Sequence, residues 1–236
     1  MTTLRTRRIL LLLVLALSVV VLIGTNPGVW KVPAEPVSTN QNQEAGGGAK
    51  NALDTLAVKG RAPKTGYART QFGNGWTSVQ GCDTRNTVLA RDMTDVKVDE
   101  ACRVTGGVLN DPYTGRVLTF VRGQATSQEV QIDHVVALSN AWQTGAQQLD
   151  EKRRVALAND PLNLLAVEGK ANQQKSDGDA ATWLPPNRPF RCQYVARQIA
   201  VKQKYQLWVT ISEKEAIEKV LAMCPNQQLP TEGVLQ

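Results

Sequence analysis

Polar and apolar positions divide the chain into regions of different character. Arg5, Arg7 and Arg8 precede an apolar run from Ile9 to Ile23 that only Ser18 interrupts. Residues 31–60 carry Pro, Gln, Asn and the triplet Gly46-Gly47-Gly48 without apolar periodicity, the pattern of a linker. From Arg61 onward short periodic segments follow one another. A helix is expected from Asp83 or Thr84, both good caps, through Arg91, with Val88 and Leu89 inward. Val96-Lys97-Val98, Cys102-Arg103-Val104 and Arg116–Val121 read as strands, the last preceded by the turn Asn110–Gly115, and together they predict a small antiparallel sheet.

The second half mixes strands with helices. Val130–Leu138 is an apolar strand pattern broken by Asp133 and His134. Ser139 is placed to cap a helix through Trp142, and Asp150–Ala158 reads as another, acidic early and basic later, stopped at Asn159-Asp160-Pro161. A strand is expected over Leu162–Val167, and a polar, helix-compatible stretch runs from Glu168 to Trp183 before Pro185-Pro186. Cys192–Tyr205 repeats apolar residues at helical spacing, and Ser212 with Glu215 has capping-box spacing for a last helix through Met223. The fold class is α+β: a small antiparallel sheet with surrounding helices, in one domain over residues 61–236.

The basic, then apolar, amino terminus changes the expected compartment. Residues 1–30 read as a secretory signal or a membrane anchor: the apolar run falls short of the ~20 residues of a comfortable span, yet no clean small-x-small cleavage triplet follows Ile23. Either way the rest of the chain leaves the cytoplasm. Four cysteines in an exported chain, Cys82, Cys102, Cys192 and Cys224, point to two disulfides. Of three pairings, Cys82 with Cys102 and Cys192 with Cys224 is preferred because each closes a short local loop. No C-x-x-C pair is present, which argues against structural zinc. The formal charge of +6 includes Arg5, Arg7 and Arg8, so the body carries only a mild positive excess, compatible with a polyanionic substrate.

His134 is the one histidine of the chain, and it stands beside a carboxylate in an apolar strand. Imidazole takes and gives protons near neutral pH, so that capacity is concentrated in a single place. In sequence order come the strand with Asp133-His134, the strand with Asn163, and the stretch Asn172-Gln173-Gln174-Lys175-Ser176-Asp177. Two strands packed on a helix would bring an imidazole, a carboxylate and an amide oxygen around one hard divalent cation, with Asp133 and Asn172 as protein ligands and substrate phosphate completing the shell. In such a site the metal stabilises charge on phosphorus and on the leaving 3′ oxygen, and His134 deprotonates the attacking water. Lys175 is a candidate phosphate clamp, and Arg85, with Arg91, a candidate backbone contact. Trp76, Trp142, Trp183 and Trp208 read as core and lid packing.

These residues resemble the HNH, or ββα-metal, endonuclease motif. The likeness is closest to exported HNH nucleases similar to the carboxy-terminal nuclease domain of GmrSD restriction enzymes, and the HNH domain of CRISPR effector nucleases has a comparable order. Cys82–Asn86, Asp111–Gly115, Trp183–Pro186 and Ala196–Lys202 extend the resemblance over roughly residues 66–224. It implies a ββα-metal (His-Me finger) core, His134 as general base, Asp133 and Asn172 as ligands of magnesium or alternatively manganese, and Asn163 fixing the loop that presents His134. It also implies DNA as partner and 5′-phosphate and 3′-hydroxyl ends; because no basic recognition helix or repeated groove-reading module is visible, contacts mainly to phosphates are expected. No obligate protein partner is evident, and the membrane enters only through an uncleaved amino terminus. Two departures stand out: Asn172 replaces the family's last His, and residues 139–158 form a long helical insertion. The rival readings are a catalytically silent secreted nucleic-acid-binding module and a ββα-metal phosphodiesterase acting on RNA.

Overall fold

The computed structural model describes residues 48–124 and 126–230. The expected signal or anchor lies outside the described residues, and among them no helix is long and apolar enough to cross a membrane. The architecture is α+β, with helices and small antiparallel sheets. The folded body begins before Arg61. Helix α1 (Gly48–Thr55) buries Ala49, Ala52 and Leu53, so the tail of the stretch read as a linker is part of the core. Its apolar side was missed because it offers only three such positions among polar neighbours.

Strands β1 (Ser78–Val79) and β2 (Cys82–Asp83) form a short ribbon leading into α2 (Thr84–Asp92). Asp83 caps that helix as expected, accepting from the Asn86 N–H. A three-stranded antiparallel sheet follows in the order β3 (Met93–Val98), β4 (Val104–Asn110), β5 (Val117–Val121). Strand β4 starts at Val104 rather than Cys102, because Cys102 adopts a left-handed φ of 63° in a turn where Asp99 accepts from Ala101 and Arg103 N–H groups.

Strands β6 (Val130–His134) and β7 (Leu164–Glu168) pair antiparallel, with Ile132 opposite Ala166 and His134 opposite Leu164. Between them lie α3 (Leu138–Gln143) and α4 (Glu151–Asn159), and after them α5 (Gly169–Lys175), α6 (Arg191–Lys204) and α7 (Ile211–Leu221). Helix α5 ends well short of Trp183, at Ser176 with φ 50°. The capping box of α7 is Thr210 with Glu213, not Ser212 with Glu215. Both pairs satisfy the spacing, but only the former puts Glu213 against the buried Lys202 ammonium at 2.8 Å. Ser139 caps nothing; it lies inside α3 and donates to Asp177.

Successive residues of β6 serve opposite faces, as strand alternation requires. Val130 and Ile132, with Leu164 and Ala166, pack against Val88, Leu89 and the three-stranded sheet. The other face joins Leu165 and Val167 to the cluster under α1, α6 and α7. A third cluster gathers Phe72, Trp142, Leu157 and Tyr205 around the insertion. Gly169 lets α5 start hard against the chain entering β6: a Cβ there would stand 2.1 Å from the Gln128 carbonyl oxygen. The disulfides join Cys82 to Cys102 and Cys192 to Cys224, the preferred pairing.

Candidate active site

Asp133 and His134, at the end of β6, project to opposite faces and are held by different neighbours. Asp133 faces α5 and is buried. Lys175 Nζ donates to its Oδ1 at 3.0 Å and Tyr113 Oη to its Oδ2 at 2.5 Å. Burial pushes the Asp133 carboxyl above its usual range, against the opposing pull of Lys175 and the Tyr113 hydroxyl. Tyr113 reaches this position through the turn after β4. Asp111 accepts from the Tyr113, Thr114 and Glu168 N–H groups, which fastens the turn to the end of β7 and drives the Tyr113 ring inward. There the ring meets Trp183 and Tyr194 edge to face. Burial, then the Asp133 charge, raises the Tyr113 hydroxyl well above its ordinary value, so it stays a donor.

His134 is equally buried, its ring stacked on Trp76 with centroids 5.7 Å apart and planes 13° from parallel. Nε2 lies 2.9 Å from the Ala158 carbonyl oxygen. A carbonyl can only accept, so Nε2 carries the proton and Nδ1 keeps a bare lone pair. Burial drives the imidazole pKa down to about 3, with the positive charges of Arg69 and Lys175 adding to the effect. The ring is therefore neutral at physiological pH.

The insertion is what orients this ring, since Ala158 closes α4. Asn163 ties the two together. Fully buried, it accepts from Val136 N–H at 2.8 Å through Oδ1, while Nδ2 donates to the Val136 and Leu157 carbonyls at 3.3 Å each. Its backbone carbonyl accepts from Val135 N–H. Asn163 thus fastens both residues after His134, Val135 through its backbone carbonyl and Val136 through its side-chain amide, and the same amide holds Leu157, the residue before Ala158.

Asn172, on α5, is half-buried, and its Nδ2 donates to Gln131 Oε1 at 2.9 Å. Its Oδ1 has no protein partner among the described residues. A polar cavity of about 420 Å³ opens between Asp133, His134 and Asn172 on one side and Lys64, Tyr67 and Arg69 on the other. A smaller one of about 180 Å³ reaches His134 from the side of Gly73, Gly75 and Trp76, again beside Arg69.

Among the described residues no group of three or more His, Cys, Asp or Glu is placed to hold a metal. Asp133 and Asn172, which line the same cavity, offer one carboxylate and one amide oxygen, donor types that suit a hard cation. Each Asp133 oxygen accepts one protein hydrogen bond and retains a lone pair. The Asp133 charge is already opposed by Lys175, so the set fits a divalent cation only in company with substrate phosphate oxygens and water.

Two expected substrate contacts are reassigned. The Lys175 ammonium is buried between Asp133 Oδ1 and the His134 carbonyl, so it holds the strand end and is not available as a surface phosphate clamp. Arg85 donates to the Val130 carbonyl and stands away from the cavity, anchoring the start of β6. Arg91 likewise serves the Pro161 and Leu164 carbonyls. Sequence reasoning missed Tyr113, Arg69 and the stacking role of Trp76. For Tyr113 a signal existed in the Asp-Pro-Tyr-Thr-Gly turn, whose aspartate can bend an aromatic residue into the interior.

The family described as GmrSD restriction endonucleases, C-terminal domain, matches residues 83–220. A protein of Arthroderma benhamiae described as an uncharacterized secreted protein is 40% identical over 192 residues, covering 80% of this chain and 91% of that protein. No solved structure matches.

Proposed function

The chain belongs to the family of GmrSD restriction endonuclease C-terminal domains, and from that premise we propose that it is an exported, divalent-metal-dependent HNH endonuclease hydrolysing DNA phosphodiester bonds. The β6, β7 and α5 elements are its ββα-metal core. The observation that carries the reading is the fixed tautomer of His134: its Nε2–H is committed to Ala158, leaving Nδ1 bare on a residue that lines one cavity with Asp133 and Asn172. Two disulfides, the basic-then-apolar amino terminus and the secreted relative support export.

His134 Nδ1 takes a proton from water as the water oxygen bonds to phosphorus. The P–O3′ bond breaks, and the 3′ oxygen takes a proton from solvent, giving 5′-phosphate and 3′-hydroxyl ends. A neutral, buried imidazole gains proton affinity when a polyanion enters the cavity, since the added negative charge favours the imidazolium. Asp133 and Asn172 would hold the cation, magnesium or manganese, which would supply charge stabilisation to the reacting phosphate. Lys175 and Tyr113 keep the Asp133 carboxylate oriented, and Asn163 keeps the His134 loop in place.

The test uses the full chain with its disulfides formed, incubated with supercoiled plasmid in magnesium, in manganese and in chelator. Nicking in either metal, none in chelator, and a fall on the order of 10² to 10⁴ in His134→Ala are expected. No nicking by the wild type, or undiminished nicking by His134→Ala, overturns the reading. DNA binding indifferent to chelator and to Asp133→Ala, without cleavage, is the signature of a silent binding module, and cleavage confined to RNA that of an RNA phosphodiesterase.

A further inference from the structure

Two cations line the larger cavity, and they are in different states. Lys64 is engaged with Asp177 at 3.2 Å. Arg69 is exposed and makes no side-chain hydrogen bond or ion pair among the described residues. It is also the cation that borders both cavities meeting at His134. Other arginines near the body are committed: Arg61 to Asp179, Arg85 to the Val130 carbonyl, Arg154 to the Gln71 carbonyl.

The backbone beneath Arg69 is nonetheless fixed. Arg69–Phe72 is a single 3₁₀ turn whose Phe72 is buried and meets Tyr67 and Trp142 ring to ring. Gly73 closes the turn with a positive φ of 96°, its N–H donating to the Thr70 carbonyl. The Arg154 guanidinium holds Gln71 from α4. A guanidinium with an anchored base, no carboxylate paired with it among the described residues and a shared wall with the proposed base is pre-positioned for an anionic ligand. Its planar fork matches two oxygens of a phosphate, which a lysine cannot reproduce.

We propose that Arg69 grips non-bridging oxygens of the phosphate being cleaved and stabilises the charge that accumulates there as water attacks. This rests on the endonuclease reading, whose acceptor phosphate it names. Because the contact strengthens as charge develops, its loss falls on kcat more than on KM.

The experiment measures steady-state cleavage of a short fluorescent duplex in magnesium by the full chain, by His134→Ala, by Arg69→Ala and by Arg69→Lys, with thermal melts of each. Arg69→Ala should lose on the order of 10² to 10³ in kcat, as when one charge-stabilising donor is removed, with KM within about threefold of wild type and Arg69→Lys restoring part of the rate. The melts of both arginine variants should match wild type, since no folded-state partner is lost. If His134→Ala is inactive while Arg69→Ala keeps kcat within about threefold of wild type, the proposal falls and the endonuclease reading stands. A raised KM with unchanged kcat also overturns it, assigning Arg69 to a phosphate away from the reaction. A wild type inactive in magnesium and in manganese removes both.

Discussion

Replacing Asn163 by alanine is expected to uncouple the His134 loop from the end of α4. The side chain is fully buried and makes three hydrogen bonds, at 2.8, 3.3 and 3.3 Å. Truncation leaves the Val136 N–H without its acceptor in a dry interior, at about 1–3 kcal/mol, and weakens two longer contacts worth about 0.5 kcal/mol each. The sum, roughly 2–4 kcal/mol, is a large share of a typical domain's stability but less than all of it. The variant should therefore remain folded at room temperature and melt about 5–15 °C lower. Cleavage should fall by more than stability alone explains, because the same amide fixes Leu157 and with it the Ala158 carbonyl that aims His134. Misplacement by about 1 Å costs on the order of 10²-fold in rate. Asn163→Asp is a stricter probe: it keeps the size and the acceptor to Val136 N–H but turns oxygen lone pairs toward two carbonyls, and should be no better than alanine. Urea unfolding under non-reducing conditions and plasmid nicking measure the two effects. A loss below about 0.5 kcal/mol, with nicking near wild type, refutes the claim that Asn163 pins the site.

Two further outcomes follow from buried groups. His134 titrates at about 3 in the folded chain but near 6.5 once unfolded; the unfolded chain therefore binds more protons as pH falls through that interval, and stability drops with it. In metal-free protein, wild type should lose about 2–3 kcal/mol more than His134→Gln between pH 7 and 4.5, and parallel urea-midpoint profiles for the two proteins contradict this. Lys202 and Glu213 form a buried ion pair in which the ammonium also donates to the Trp208 carbonyl. Lys202→Met should cost about 3–5 kcal/mol by stranding the carboxylate, and Lys202→Met with Glu213→Leu should recover much of it; a single variant as stable as wild type by urea unfolding would count against the pair.

Local signals carried most of the element pattern. The Asp83 cap, the turn over Asn110–Gly115 and the stop at Pro161 were legible because each depends on residues within one turn of chain. Ends governed by distant partners were not. Helix α5 stops at Lys175, whose ammonium is tied to Asp133, and nothing between Glu168 and Trp183 announces that. The two capping boxes near Thr210 are equivalent until Lys202 selects Glu213. In the candidate site, spacing picked out Asp133, His134, Asn163 and Asn172, while the partners that set their chemistry, Tyr113, Trp76 and Ala158, arrive from separate segments. Arg85 and Lys175 engage partners that the sequence does not show, because a charge in sequence does not reveal which carbonyl or carboxylate has already claimed it.

Helix α1 has a practical corollary for anyone shortening this chain. Ala49, Ala52, Leu53 and Leu56 share a cluster with Val195, Ile199, Val209 and Ile217. A version begun at Arg61, where composition suggests the body starts, would leave the apolar flank of α6 and α7 bare, a contiguous patch of the kind that promotes self-association. Poor yield or clumping of such a product would reflect a missing piece of its interior and would carry no information about its chemistry.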